Sequence, residues 1–275
     1  MKRSFFVIAF VLATSIVAAP ANAVVFGEDI KSASPKYPWV ASIWHAGPKD
    51  DYYYPICSGS LITQDAVLTA AHCLKLKGSY LIQMGSDTLD GENEDTFYEI
   101  AGIWKHPHYH KETFENDIGL LRLASYQTKV KPMAIANLED IGAVRETKKF
   151  DMFGWGEDEF GDYATFLGHT KLNNQTKEGS VLLRNYDFDP ISTIAAGRYI
   201  KRLGVYAGSG GGDSGGPLVA SINGINKVVG ITSWGKDNAD LSGPTVFSNV
   251  AYYRTGIAQG LETLQRLMIV VTRAM

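Results

Sequence analysis

The chain has 275 residues, of which 45% are hydrophobic and 20% are charged, and its formal net charge is −3. This composition is typical of a folded globular protein with one or two hydrophobic cores and excludes a disordered chain. Charges of both signs are scattered along the sequence without blocks of lysine and arginine, so neither nucleic acid nor an anionic membrane is indicated as a partner.

The amino-terminal segment differs from the rest of the chain. Lys2 and Arg3 precede an apolar stretch from Phe5 to Ala19, and the small residues Ala21-Asn22-Ala23 follow. This arrangement is typical of a secretory signal peptide. A membrane anchor is the alternative, but the stretch is shorter than the roughly 20 apolar residues that cross a bilayer. We predict a signal peptide over residues 1–23, a secreted or periplasmic protein, and no membrane attachment once the signal is removed.

From about Val24 onward, short apolar runs alternate with turn residues, which is the pattern of an all-β sandwich or barrel. The clearest predicted strands are Trp39–Trp44, Ala66–Ala70, Tyr80–Met84, Ile118–Leu123, Pro217–Ile222 and Lys227–Trp234. Asn223-Gly224 lies between the last two runs and predicts a tight hairpin, because both residues tolerate positive φ. A boundary between two halves is expected near Lys131-Pro132.

The carboxyl-terminal segment has a different periodicity. Ile257, Leu261, Leu264 and Met268 recur at helical intervals, with charged residues between them. This spacing predicts one terminal α-helix.

The chain has two cysteines, Cys57 and Cys73. An exported protein can join them in a disulfide, whereas two buried free thiols are the alternative expected in a reducing compartment. A zinc site is disfavoured because no second Cys/His pair has ligand spacing. We interpret the histidines of His106–His110 and the acidic stretch Asp87–Asp95 as surface features, and we expect neither a metal nor a cofactor.

A glycine-rich run, Gly208-Ser-Gly-Gly-Gly-Asp-Ser-Gly-Gly-Pro217, surrounds Ser214. Glycine at this density indicates a backbone that takes unusual angles or approaches another group closely. A nucleophilic serine needs such a loop, because amide N–H groups must point at the oxyanion that forms on the attacked carbonyl. The candidate donors are the N–H groups of Gly212 and Ser214. A flexible linker is the alternative, but the strand-like run that follows disfavours it.

A serine nucleophile also needs a base and a group that orients the base. Six histidines are candidates, and all of them precede Ser214: His45, His72, His106, His108, His110 and His169. The run Gly212-Asp-Ser-Gly-Gly216 matches the nucleophile elbow of α/β-hydrolases, but those enzymes place the histidine after the serine. The order Asp, His, Ser of subtilisin would need an acid before the histidine. It would also need a βαβ pattern, and the rest of the chain does not have that pattern.

Five motifs resemble those of the trypsin/chymotrypsin family of serine proteases. They are Thr69-Ala-Ala-His72-Cys73, Asn116-Asp117-Ile-Gly-Leu-Leu-Arg-Leu123, Gly212-Asp-Ser-Gly-Gly-Pro217, Phe153-Gly-Trp-Gly156 and Thr232-Ser-Trp-Gly235. The resemblance extends from Val24 to the terminal helix, and its order His, Asp, Ser is that of the family.

The resemblance implies an all-β fold of two antiparallel six-stranded β-barrels with the active site between them and a C-terminal α-helix. The N-terminal barrel is expected at about 24–132, the C-terminal barrel at about 133–250 and the helix at about 253–270, all within a protease domain of 24–275. The implied catalytic residues are His72 as base, Asp117 as its orienting acid and Ser214 as nucleophile. The family also implies a Cys57–Cys73 disulfide.

The resemblance further implies how the enzyme is activated. Val24-Val25-Phe26-Gly27 is similar to the mature amino terminus of the family, which pairs with the aspartate before the catalytic serine, here Asp213. Phe26 departs from the glycine usual in the family. Because the predicted signal ends immediately before Val24, we hypothesise that signal removal itself creates the activating ammonium.

The pocket for the residue before the scissile bond is also implied by resemblance. The floor of the pocket is Gly208, at the position where trypsin-like members carry an aspartate. Ser209 lies next to it in the sequence. The walls of the pocket are Ser233-Trp234-Gly235 and Gly243-Pro244-Thr245. Gly235 leaves the mouth open and Thr245 narrows the interior, so a preference for small or medium apolar residues follows. The alternative is that Asp237 or Asp240 approaches the pocket.

The predicted function is that of a secreted serine endopeptidase acting on proteins or peptides through an acyl-enzyme. A protein inhibitor is a further candidate partner, and a monomer is expected. Two alternatives stay open, namely a catalytically idle binding protein with a protease fold and a secreted esterase that uses the same triad.

Overall fold

A computed structural model of the chain describes residues 24–163, 165–183, 185–236 and 241–274, with side chains described up to residue 266. The predicted signal peptide lies outside these residues. Within them, no helix has the length and apolar character needed to span a lipid bilayer.

The described residues form fourteen β-strands and three α-helices. The strands are β1 Glu28–Ile30, β2 Val40–Ala46, β3 Tyr54–Thr63, β4 Ala66–Thr69, β5 Ser79–Gln83, β6 Phe97–Lys105, β7 Gly119–Leu123, β8 Lys149–Gly154, β9 Leu167–Asn174, β10 Thr193–Ile200, β11 Val205–Ala207, β12 Pro217–Ile222, β13 Ile225–Gly235 and β14 Thr245–Asn249. The helices are α1 Ile141–Glu146, α2 Thr176–Leu182 and α3 Arg254–Ala274.

The first barrel closes from six antiparallel strands in the order β2-β3-β4-β7-β6-β5. Strand β2 completes the ring, because it pairs with β3 on one side, with Ser42 opposite Ser58, and with β5 on the other, with Ser42 opposite Gln83. Residues of β2, β4 and β7 are buried along the whole of each strand. Their apolar side chains fill the barrel, which explains the continuous apolar runs in the sequence.

The second barrel has six strands in the order β9-β8-β12-β13-β14-β10, and the pairing of β9 with β10 closes it. Phe150, Met152 and Phe247 are among its fully buried side chains. Together the two barrels confirm the predicted all-β fold. The predicted hairpin is confirmed as well, because Asn223 and Gly224 both have positive φ, at 52° and 77°, in the two-residue turn between β12 and β13.

The segment before the first barrel belongs to the second barrel. Strand β1 pairs with β9, with Glu28 opposite His169, and Val25 exchanges two backbone hydrogen bonds with Gly208. The sequence predicts an N-terminal barrel from about residue 24, but the strand pairing places Glu28–Ile30 beside the C-terminal barrel. The amino-terminal segment therefore runs next to the glycine-rich loop around Ser214.

Helix α3 is the terminal helix expected from the spacing of its apolar residues, and it begins at Arg254. It packs on the first barrel, since a Cβ added at Gly260 would meet Leu120 and Trp104 at 2.7 Å. The glycine allows this close approach. The chain thus crosses from the second barrel back to the first before it ends.

Candidate active site

An open cleft of about 960 Å³ lies between the two barrels. His72 and Phe114 line it from the first barrel, and Ser209, Ser214 and Trp234 line it from the second. Of the three residues predicted as a triad, His72 and Ser214 line this cleft, and Asp117 is fully buried in contact with His72.

His72 and Asp117 are positioned by neighbouring strands of the first barrel. His72 lies in a short 3₁₀ turn, Ala71–Leu74, after β4, and Asp117 lies two residues before β7. The ladder between β4 and β7 places Thr69 opposite Gly119, so the two segments emerge side by side. Cys57 and Cys73 form the predicted disulfide, which ties the histidine turn to β3.

The Asp117 carboxylate is completely buried and accepts three hydrogen bonds. Oδ1 accepts from the backbone N–H of His72 at 2.9 Å, while Oδ2 lies 2.7 Å from His72 Nδ1 and accepts from the Ser233 hydroxyl at 2.6 Å. Because a carboxylate only accepts, the hydrogen bond assigns the proton to Nδ1 of the neutral imidazole. The Nε2 lone pair is then available to take a proton from a hydroxyl group.

Ser214 lies in the loop between β11 and β12. Its backbone carbonyl accepts a hydrogen bond from Ser58 N at 2.8 Å, which fastens the loop to β3 of the first barrel. Its hydroxyl has no hydrogen-bond partner among the described residues. A catalytic hydrogen bond is often loose in a substrate-free enzyme, so the geometry is compatible with a nucleophile that His72 activates.

The amides of Gly212 and Ser214 are oriented by the carbonyls that precede them. Gly211 C=O accepts from Glu157 N at 2.7 Å, and Asp213 C=O accepts from Gly216 N at 2.9 Å. In a planar trans peptide the N–H points away from the C=O of the same unit. Both amides therefore point away from these anchors, and neither donates to an acceptor in the described part of the chain. This arrangement suits a pair of oxyanion donors.

Asp213 anchors the same loop from inside the protein. Its carboxylate is fully buried, and its two oxygens accept from Gly156 N at 2.9 Å and from Gly210 N at 2.8 Å. Burial raises the pKa of the Asp213 carboxyl to about 7, against the lowering effect of the two amides. A buried carboxyl with such a pKa is one that a nearby cation would stabilise in its charged form.

Val24, the first residue after the predicted signal peptide, is fully buried. Phe26, which stands where the family has glycine, adopts a left-handed backbone with φ of 54°. Its N–H donates to Glu159 Oε2 at 3.3 Å and its carbonyl accepts from Arg198 at 2.8 Å, so side chains hold the strained residue in place. The pairing of Val24 with Asp213 stays a prediction.

The predicted specificity pocket is narrow at its base. Thr245 Oγ1 accepts from Ser209 N at 3.0 Å, and a Cβ added at Gly208 would lie 2.5 Å from the same oxygen. The space bounded by Gly208, Gly235 and Thr245 amounts to about 10 Å³, barely enough to hold one water molecule. Asp237 and Asp240, the alternative pocket residues, lie outside the described residues.

Two serines near the cleft have contacts that the sequence did not indicate. Ser233 was predicted only as a pocket wall, yet its hydroxyl donates to Asp117 across the two barrels. Ser58 was not predicted at all, although its hydroxyl contacts the loop around Ser214. A single serine inside a strand carries no local signal, and only the meeting of two distant segments gives it a role.

Within the described residues, the one group with the spacing of metal ligands is Cys57, His72 and Cys73. The two sulfurs are bonded to each other, which leaves one ligand and no chelating site.

The fold and the cleft define a two-barrel hydrolase of the serine protease class. The chain matches the family model described as Trypsin over residues 25–257. It is 33% identical to mast cell protease 3 of Ovis aries over 205 residues, which cover 74% of this chain and 76% of that protein. The chain belongs to the trypsin family of serine proteases.

Proposed function

We propose that the chain is a secreted serine endopeptidase in which His72, Asp117 and Ser214 form the catalytic triad. The observation that carries this proposal is the buried Asp117 carboxylate, which accepts from both the backbone N–H and Nδ1 of His72. A buried acid in this position fixes the ring's orientation and tautomer and stabilises the imidazolium that forms during the reaction. Ser214 lines the same cleft.

The proposed reaction has two acyl-transfer steps. His72 Nε2 takes the proton of Ser214 as its oxygen attacks the peptide carbonyl, and the N–H groups of Gly212 and Ser214 stabilise the oxyanion. The C–N bond then breaks, the leaving amine takes the proton from His72, and an acyl-enzyme remains. Water then attacks the ester with His72 again as base, the bond between the acyl carbon and the Ser214 oxygen breaks, and that oxygen takes the proton back from His72 as the acid product leaves.

Labelling with a fluorophosphonate probe, followed by assay of peptide-bond cleavage, tests the proposal. We expect Ser214→Ala to abolish labelling and Ser214→Ala or His72→Ala to reduce turnover by about 10⁶-fold. Ser221→Ala is the matched control, because Ser221 lies exposed near the end of β12 that is farther from Ser214. A wild-type protein that the probe does not label would favour the idle binding protein. A protein that is labelled and hydrolyses esters but does not hydrolyse peptides would favour the esterase.

For substrate choice, we propose a preference for small or medium apolar residues before the scissile bond. Thr245 fills the space beneath Gly208, and Gly208 itself supplies no negative charge for lysine or arginine. A fluorogenic peptide panel that varies this residue measures the preference. Thr245→Gly should raise, at least tenfold, the ratio of kcat/KM for a phenylalanine substrate to kcat/KM for an alanine substrate. The reason is that each methylene-sized group that a hydrophobic pocket accommodates changes discrimination by about tenfold or more. Fast cleavage after arginine by the wild-type protein would contradict the preference.

For activation, we propose that removal of residues 1–23 creates a Val24 ammonium that pairs with Asp213. The burial of both residues and the raised pKa of the carboxyl support this pairing. Amino-terminal sequencing of the exported protein tests the first step, because a start at Asn22 or earlier would require a second cleavage. A protein that starts at Val24 and is active fits the proposal.

A further inference from the structure

Ser58 joins the first barrel to the loop that carries the candidate oxyanion donors. It follows Cys57 in β3 and is fully buried. Its hydroxyl donates to Gly212 C=O at 3.0 Å and accepts from Trp155 N at 3.0 Å. Its own N–H donates to Ser214 C=O at 2.8 Å. One residue of the first barrel therefore contacts the backbone of both candidate donors.

The hydroxyl contact matters because it holds one of the two peptides that flank Gly212. Its φ of 81° lies in the region that favours glycine, and glycine has wide backbone freedom. The peptide before Gly212 is held by the bond from Glu157 N to Gly211 C=O, and the peptide after it by the Ser58 hydroxyl. The direction of the Gly212 N–H thus depends on two anchors, one on each side.

The second hydrogen bond of the hydroxyl fixes the hydroxyl itself. Trp155 N–H donates to Ser58 Oγ, so the oxygen's own proton is directed to Gly212 C=O. Trp155 immediately precedes Gly156, whose N–H holds Asp213. Both anchors of the loop, Ser58 and Asp213, are therefore tied to one short stretch of backbone after β8.

We infer that Ser58 is a positioning residue that holds the Gly212 amide toward the reacting carbonyl. This role rests on the proposed function. Ser58 does not line the cleft, so it acts on the transition state through Gly212 and not through contact with substrate. Loss of the Ser58 hydroxyl should then leave substrate binding in the ground state unchanged and weaken the stabilisation of the oxyanion.

The test compares Ser58→Ala with Ser42→Ala. Ser42 is the cross-strand neighbour of Ser58 in β2, is also buried, and has a hydroxyl with no hydrogen-bond partner among the described residues. We expect Ser58→Ala to lower kcat for an amide substrate about tenfold with KM within twofold, as for loss of one hydrogen bond felt only in the transition state. A peptide boronic acid, whose tetrahedral adduct mimics the oxyanion, should bind about tenfold more weakly. Ser42→Ala should leave both values unchanged.

Unchanged kcat and boronate affinity in Ser58→Ala, with only a lower melting temperature, would overturn the inference. Ser58→Gly is the second variant, because it leaves room for water between the two polar groups and avoids placing a methyl group there. Failure of both variants to fold, while Ser42→Ala folds, would make the hydroxyl a structural requirement and would also overturn it. An inactive wild-type protein would instead remove the proposed function, and the positioning role with it.

Discussion

The two barrels contribute to the cleft in different ways. The first barrel supplies side chains, His72 and Asp117, at the ends of buried strands. The second barrel supplies mainly backbone, in the loop around Ser214, whose Gly212 and Gly215 have φ near +80°. In the proposed mechanism, the contribution of the first barrel therefore depends on which side chain is present. The contribution of the second depends on the path of the main chain.

This difference predicts two kinds of damage. The first-barrel residues lie next to the ends of strands that are buried along their length, and a disulfide ties the histidine turn to β3, so a substitution there can remove chemistry without moving its neighbours. The second-barrel loop keeps its shape through close contacts that only glycine allows and through the Asp213 anchor. A substitution in this loop is expected to move the backbone, and the catalytic rate should fall as a consequence.

Of the substitutions that compare the two barrels, Asp117→Asn in the first barrel is expected to have the largest effect. Asparagine keeps the volume but no longer fixes the proton on Nδ1, so Nε2 loses its role as base, and kcat should fall by about 10⁴-fold. The melting temperature should change little. The measurement is steady-state hydrolysis of a peptide amide together with a thermal melt.

Asp151→Asn is the matched control in the second barrel. Asp151 Oδ1 lies 2.7 Å from His169 Nε2, the same separation as in the first barrel, but neither residue lines the cleft. We expect its activity to stay within twofold of wild type. A loss below tenfold in Asp117→Asn, or equal losses in the two variants, would contradict the proposed triad.

The next effect concerns Asp213 and pH. Its pKa is raised from 3.8 to about 7 in the folded chain, so between these values the folded state holds a proton that the unfolded state has released. Stability should therefore fall as pH rises from about 4 to 7 and level off above, by on the order of 4 kcal/mol. Chemical denaturation of the Ser214→Ala chain, with its amino-terminal extension retained, measures this decline.

Two variants sharpen the pH prediction. Asp213→Asn removes the titrating group and should flatten the profile in that interval. A chain that begins at Val24 should also lose the decline, because an ammonium beside the carboxylate lowers its pKa. A decline that persists unchanged in the chain beginning at Val24 would show that the proposed ion pair does not form.

A smaller effect is expected from Gly156→Ala in the second barrel. The added Cβ would overlap Gly211 C=O and lie 2.5 Å from Asp213 N and 2.6 Å from Asp213 Oδ1. The loop must shift, and with it the Gly212 amide, so kcat should fall about 100-fold, as for loss of one oxyanion donor. KM should rise less. Gly142→Ala is the control, since its Cβ meets nothing within 4 Å and the residue lies in α1. Equal activity of the two variants would contradict the dependence of catalysis on the backbone path of the loop around Ser214.

The sequence predicted the parts of this architecture that have a local pattern. Short apolar runs separated by turn residues indicated the strands, and Asn223-Gly224 indicated the hairpin. The family resemblance of the segment around His72 and Cys73 indicated the disulfide. The pairing of β1 with the second barrel was not predictable in this way, because it joins Glu28 to His169 across about half of the chain. The hydrogen bond from Ser58 to Gly212 spans 154 residues and has no local signature.

The smallest expected effect tests whether every left-handed residue of the second barrel serves the cleft. Asn223 has φ of 52° in the turn between β12 and β13, at the opposite end of β12 from Ser214, and a Cβ added at the adjacent Gly224 would meet nothing within 4 Å. Asn223→Ala should cost about 1 kcal/mol of unfolding free energy, because alanine tolerates this conformation poorly. Asn223→Gly should cost less, and kcat should be unchanged in both. A drop in kcat would mean that backbone shape in this barrel is coupled to the cleft well beyond the loop around Ser214.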